Sequence, residues 1–253
     1  MVHFVGAGSG AKDLITVRGK ELIEKADVII YAGSLVNKEL LEYRKTESEV
    51  FNSAEMTLEE VIGVIKKAES RGKTTVRLHT GDMSIYGAVK EQYDELERLG
   101  IEYDVCPGVS SFLAAAASLG IEYTLPGISQ SVIITRMEGR TPVPEKEKIE
   151  TFAAHNATMV IFLSAGMTKE LSQRLIEGGY SYDTPCAIVY KATWEDEKKV
   201  ICTVGTLSQT AEREKINKTA LIIVGEIING AYERSKLYDP SFTTGFRQGN
   251  GNG

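Results

Sequence analysis

The chain is short of the residues that build metal and disulfide sites. It has three cysteines in 253 residues, Cys106, Cys186 and Cys202, odd in number, widely spaced and without a CxxC pair. Its three histidines, His3, His79 and His155, form no HxxH or HxxxH pattern. A sequence-readable zinc site or disulfide framework is therefore not expected, and the cysteines read as free, buried or half-buried thiols of a reducing compartment. A basic excess is also missing: 29 Lys+Arg stand against 35 Asp+Glu, a net charge of −6. Proteins that bind nucleic acid broadly carry the opposite balance, although a local basic pocket stays compatible with it. Val105–Ile121 is long and uncharged, but Pro107, Gly108 and three serines make it a poor membrane span. Met1 leads straight into a strand-like VHFV, with no charged-then-apolar leader pattern. The expectation is a cytoplasmic protein with neither a membrane nor a nucleic-acid partner.

What the chain does have is alternation. Val2–Val5, Asp27–Tyr31, Thr74–His79 and Glu102–Cys106 read as strands. Between them, Thr57–Arg71 reads as a helix: Thr57 and Glu60 form a capping box, and Leu58, Val61, Ile62, Ile65 and Ala68 share one face. Ser84–Leu99 is also predicted helical, ended by Gly100, and Val109–Leu119 is a small-residue helix. After a connector over 120–130, a second series runs through strands at Val132–Arg136, Thr158–Ser164, Cys186–Lys191, Lys198–Val204 and Ala220–Glu226, with helices from Glu145 and Thr168. Trp194–Lys199 reads as a hairpin turn, which predicts a mixed second sheet. The fold class is α/β: an N-terminal domain over 1–120, a C-terminal domain over 121–230 and a tail over 231–253, with a ligand cleft between the domains. The Gly/Asn-rich end after Gly245 is expected to be disordered.

Three strand-to-helix loops carry the candidate chemistry. Gly6-Ala7-Gly8-Ser9-Gly10-Ala11 matches the dinucleotide fingerprint G-x-G-x-x-[GA]. The next strand, however, ends Ile30-Tyr31-Ala32-Gly33, without the acid that holds a ribose, and no helix opens at the glycines. A tight turn lining a cleft explains the loop equally well. Gly81-Asp82, in Leu78–Gly87, offers close backbone approach and a carboxylate at the ligand-binding edge of an α/β sheet. Asp82 or Ser84 would otherwise simply cap a helix. Cys106–Phe112 places Ser110 and Ser111 at a helix start, where they cap or bind. Loops that follow neighbouring parallel strands converge on one edge.

In this order and spacing the three loops resemble the tetrapyrrole (corrin/porphyrin) methylase family. The similarity continues through Ala114–Ala117, Thr135-Arg136, Phe162-Leu163, Tyr190–Trp194 and Ala220–Gly225. Glu138–Pro144 and the tail from Arg234 to Arg247 point to one branch of it. The resemblance implies a two-domain α/β methyltransferase, a homodimer, S-adenosylmethionine (SAM) as methyl donor and a tetrapyrrole substrate. It implies that Thr80, Gly81, Asp82, Ile85, Tyr86, Ser110 and Ser111 take the methionine end and ribose, and that Leu163, Tyr190, Lys191, Ala220 and Leu221 wrap the adenine. By pattern alone Leu163, Ala220 and Leu221 are core strand residues. It further implies that the first glycine loop, with Gly8, Ser9 and Asp13, lines the substrate trough, and that Arg18, Arg136 and Arg140 meet the substrate's carboxylates. Lys12 is read as a solvated charge. No residue is assigned as catalytic base; His79 reads as structural. Ser9, Ala11 and Met83 stand where the family carries Pro, Asp and Pro, and these departures are expected to loosen the loops. The alternatives are another member of the family, acting on a different tetrapyrrole or on a protein, or a dinucleotide-binding module built on Gly6–Ala11.

Overall fold

Among the described residues, short apolar runs form two five-stranded sheets. The computed structural model describes residues 1–230 and 232–250. The chain divides into two compact units, Met1–Ala115 with Lys191–Glu197, and Ala116–Tyr190 with Lys198–Gly253.

The first unit contains strands β1 (Val2–Gly6), β2 (Val28–Tyr31), β3 (Glu49–Asn52), β4 (Thr75–His79) and β5 (Tyr103–Cys106). They form a wholly parallel sheet in the order β3-β2-β4-β1-β5. Helices α1 (Val17–Lys25), α2 (Leu58–Glu69) and α3 (Lys90–Leu99) supply the crossovers, and α4 (Ser111–Leu119) follows β5. A parallel sheet needs both faces covered, and the period of two assigns each face its own core. Val2, Phe4, Val28 and Ile30 pack with Val61, Ile62, Ile65 and Leu96. Their neighbours Val5, Ile29, Tyr31 and Leu78 pack with Ile23 and Leu40.

The capping box of α2 is present in full: Glu60 N–H donates to Thr57 Oγ1, and Thr57 N–H to Glu60 Oε2 at 2.7 Å. The helix predicted over 84–99 is shorter than its pattern. It begins at Lys90, because Tyr86 and Ala88 hold positive φ (54° and 48°) and interrupt the helical turn. Edge strand β3, the helix α1 and the short helix near residue 207 carry too few periodic residues to be read from sequence.

The second unit contains β6 (Val132–Arg136), β7 (Thr158–Phe162), β8 (Pro185–Tyr190), β9 (Lys198–Thr203) and β10 (Ala220–Val224), in the order β6-β7-β10-β8-β9. β6 runs parallel to β7 and the remaining pairs are antiparallel, so the sheet is mixed, as the hairpin signal implied. Helices α5 (Ile149–Ala153), α6 (Thr168–Gly178) and α7 (Leu207–Arg213) complete it. Met159, Ile161, Cys186, Ile188, Ile222 and Val224 meet Ile149, Leu171, Leu175 and Leu207 in its core.

Arg247 Nη2 donates to the carbonyls of Leu237, Asp239 and Phe242 and folds the tail back on itself. Residues 251–253 lie outside the described residues. No helix among the described residues is long and apolar enough to cross a membrane.

Candidate active site

Because β4, β1 and β5 are parallel neighbours, the loops after them leave the same edge of the sheet. The backbones there are in direct contact. Gly8 and Gly81 form a bridge, with Gly8 N–H donating to Gly81 O at 3.2 Å and Gly81 N–H to Gly8 O at 3.0 Å. Gly81 holds φ +59°, a conformation glycine adopts without penalty. A Cβ on Gly108 would lie 2.2 Å from Gly81 O, and one on Gly6 would lie 2.6 Å from Gly108 N. Bare backbone is therefore required where the three loops cross.

Asp82 fastens this crossing. Its Oδ2 accepts from Gly108 N–H at 2.8 Å, and its Oδ1 accepts from the N–H (2.9 Å) and the hydroxyl of Ser84. Burial pushes the Asp82 carboxyl up, but the bonds from Ser84 and Gly108 outweigh burial and hold it below its ordinary value. The group is thus an ionised clamp joining the loops after β4 and β5. Met83, in the family's proline position, is buried in the core below the loop. Gln92 Nε2 donates to Ala88 O at 3.1 Å and pins the loop's far end, while Gln92 Oε1 accepts from buried Arg77 at 2.9 Å.

The loop after β1 is held from its other side. Thr193 Oγ1 accepts from Ala11 N–H at 3.1 Å and pairs with Ser9 Oγ at 3.0 Å; Trp194 Nε1–H donates to Ser9 O at 3.1 Å. Asn37 Nδ2 donates to Gly10 O at 3.0 Å, and a Cβ on Gly10 would meet the Trp194 ring at 2.2 Å. At the departures from the family pattern, Ser9 is bonded to Thr193 and Trp194, Ala11 is bonded to Thr193, and Met83 is packed in the core. Thr193 and Trp194 enter the sequence reading only within the family-like Tyr190–Trp194 segment, without a role, and Asn37 does not enter it. Their roles follow from contacts far apart in the chain, and no local spacing signals them. A cavity of about 400 Å³ opens beside them, lined by Gly10, Ala11, Lys12, Asn37, Trp194 and Asp196 among others. Lys12 is paired with Glu42 at 2.5 Å and lies over the Tyr43 ring.

The same geometry argues against a pyrophosphate cradle. A phosphate needs free N–H groups at a helix start. Here Ala7 N–H is bonded to His79 O, Gly8 N–H to Gly81 O and Ala11 N–H to Thr193, and α1 begins only at Val17, capped by Thr16.

Among the remaining predicted residues of the first unit, Thr80 and Ile85 are half-buried and Tyr86 is exposed with positive φ. Ser110 is buried just before α4, and Ser111 opens it. Asp13 and Arg18 are exposed. Lys191 also holds positive φ and pairs with Asp196 at 2.7 Å. His79 is buried, stacked on Phe4 at 5.9 Å, with its Nε2 unpartnered. Burial, then the neighbouring Arg77 charge, drops its pKa to about 3. Such an imidazole is a neutral structural group and a poor proton acceptor.

In the second unit, Leu163 departs from the core reading. It is 68% exposed and holds φ +52°, which a leucine adopts only under constraint. Ala220 and Leu221 are buried in β10, Ala220 opposite half-buried Tyr190. Arg136 spends its guanidinium on the carbonyls of Met137, Thr141 and Pro142, bending the chain into a loop that carries exposed Arg140. Glu138, in that loop, pairs with Arg174 at 2.6 Å. A larger cavity, about 740 Å³, lies at the start of α6 and beside α7, and none of the predicted site residues lines it.

Comparison with known proteins decides the family. The model of the Tetrapyrrole (Corrin/Porphyrin) Methylases matches residues 1–208. The chain belongs to this family. It is 57% identical to cobalt-precorrin-4 C(11)-methyltransferase of Methanocaldococcus jannaschii, over 98% of this chain and 96% of that protein. It is 43% identical to precorrin-4 C(11)-methyltransferase of a Sinorhizobium species, over 97% and 98%. A solved cobalt precorrin-4 methyltransferase superposes with a TM-score of 0.88 at 45% identity, covering 90% of this chain and 95% of that one. The α/β architecture expected of a tetrapyrrole methylase is thus the one observed.

Proposed function

We propose that this protein is a SAM-dependent C-methyltransferase acting at C11 of precorrin-4, in its cobalt-containing form, within the synthesis of cobalamin. The observation that carries the reading is identity of 57% and 43% to C11-methyltransferases over almost the whole chain. The cobalt form is favoured because the 57% and 46% identical relatives are both named for it, against 43% for the metal-free name.

The residues fit the methyl donor. SAM supplies an activated methyl group on a positively charged sulfur. Asp82, kept ionised at the loop edge, places negative charge where a sulfonium and an ammonium are favoured. Its lone pairs are engaged with Ser84 and Gly108, so its role is to shape the edge and set its charge. Thr80, Ile85, Tyr86, Ser110 and Ser111 would provide the contacts to the methionine end and ribose. Leu163, Tyr190, Lys191, Ala220 and Leu221 would serve the adenine, with Leu163 as the exposed apolar contact. Gly8, Ser9 and Asp13 would line the substrate's side, and Arg18 and Arg140 would meet its carboxylates, with Arg136 holding the loop that presents Arg140.

The substrate is electron-rich and needs no protein nucleophile. The chain's contribution is to hold the attacking carbon behind the methyl group and exclude water, a matter of orientation. Fixed glycine backbones and an engaged clamp suit that task, since the edge needs little reordering on binding. A homodimer forms part of this reading. Isothermal titration with S-adenosylhomocysteine should give saturable binding to the folded protein, and NAD(P)H fluorescence should not respond. A folded sample that ignores S-adenosylhomocysteine would refute the assignment.

A further inference from the structure

Outside the candidate site, the second unit holds two cysteines that the proposed chemistry does not use. β8 and β9 are antiparallel, and their register sets Cys186 directly opposite Cys202. Two residues along, Val204 N–H donates to Thr184 O at 2.9 Å, so by alternation the cysteines occupy a hydrogen-bonded position of the ladder. Residues in such a position have Cα atoms about 5.5 Å apart, within the range of roughly 4.4–6.8 Å that a disulfide spans. Both cysteines are free in the structure. Cys186 is fully buried in the core, whereas Cys202 is half-buried on β9, the edge strand of the sheet.

We propose that Cys186 and Cys202 form a peroxide-reactive dithiol that closes to a reversible cross-strand disulfide. The two thiols are unlike each other. The Cys186 thiol bonds to the Cys202 sulfur and holds it below the ordinary thiol value; burial opposes this, and the Thr210 hydroxyl and Arg213 charge on α7 reinforce it. The same bond, with burial, raises Cys186. Cys202 is therefore the attacking thiolate and Cys186 the resolving thiol.

The reaction balances with a hydroperoxide as oxidant. The Cys202 thiolate attacks the peroxide oxygen, forming an S–O bond and breaking O–O; the departing alkoxide or hydroxide takes up the equivalent of the proton that Cys202 released on ionising, leaving as an alcohol or water. The sulfenic acid is then attacked by the Cys186 sulfur: S–S forms, S–O breaks, and the hydroxide leaves as water with the Cys186 proton. Two thiols are oxidised and one peroxide is reduced. β9 has a neighbour on one side only, so it can yield the small adjustment the ladder position demands. The pairing also keeps Cys202 from advancing to sulfinic acid.

The test uses the whole reduced protein, treated with hydrogen peroxide, unfolded, alkylated with iodoacetamide and weighed. Before oxidation, three alkyl groups add. After oxidation only Cys106 is alkylated, a peptide linking Cys186 and Cys202 is recovered, and dithiothreitol restores all three sites. In Cys186→Ser, dimedone labels Cys202 as its sulfenic acid. Three alkylated cysteines after peroxide, or Cys202 sulfinic acid with Cys186 still alkylated, would overturn the proposal.

Discussion

Asp82 shows how one side chain decides the character of the site. Before the structure, a capping carboxylate and a ligand-binding one stood even, because both occur at a strand-to-helix edge. Its bonds to Ser84 and Gly108 make it the fastener of the edge. Asp82→Ala is expected to weaken S-adenosylhomocysteine binding by about 1–3 kcal/mol, through displacement of the Gly108 loop and loss of the local charge. Titration calorimetry measures this, and an unchanged affinity would detach Asp82 from the site. A second residue, His79, makes a prediction with a sign. The unfolded chain takes up a proton near pH 6.5, whereas the folded chain resists protonation until about pH 3. The contribution of His79 to stability is therefore complete above pH 6.5 and declines as pH falls toward 3. Its ring-proton NMR shift is expected to stay at the neutral position from pH 8 to pH 5; a midpoint near 6.5 would contradict its burial.

At the scale of elements, periodicity carried the reading wherever packing is local. Strands β1, β2, β4 and β6 and the capped α2 lie where their alternation or 3.6-residue pattern places them, since each buries a face its own sequence defines. The reading failed between Ser84 and Val89, where the residue types are compatible with a helix but the loop is forced away from it. Met83 is drawn into the core, and a Cβ on Gly87 would lie 2.1 Å from Met83 O, so the chain turns through positive φ at Tyr86 and Ala88. Thr193 and Trp194 were equally illegible as loop fasteners, because their partners Ser9 and Ala11 lie more than 180 residues away. The family resemblance pointed to the right segment without its reason. If Trp194 fixes the loop, Gly10→Ala must push against its ring. The variant is expected to lose about 1–3 kcal/mol, read as a lower urea midpoint at unchanged slope. A midpoint equal to the parent's would mean that the ring moves aside freely.

For the molecule as a whole, the scarcity of cysteine, histidine and positive charge turned attention to glycine loops, and those loops carried the family. Their fingerprint alone also fits a dinucleotide, and in the sequence only the missing ribose acid and the lack of a helix opening at the glycines separate the two readings. The folded chain adds a physical reason: the N–H groups of Ala7, Gly8 and Ala11 are already bonded within the protein. The roles of Arg136 and Leu163 needed three dimensions as well. Arg136 is spent on its own loop, and Leu163 is strained and exposed where its strand pattern implied burial. In the proposed function, the fastened loop edge of the first unit helps to align a reactive methyl donor with a nucleophilic ring carbon. The most direct test of that function is to supply cobalt-precorrin-4 with carbon-13 methyl-labelled SAM and locate the label by NMR. The account requires one new methyl group, at C11. A methyl at any other carbon, or no transfer by protein that binds S-adenosylhomocysteine, would contradict it.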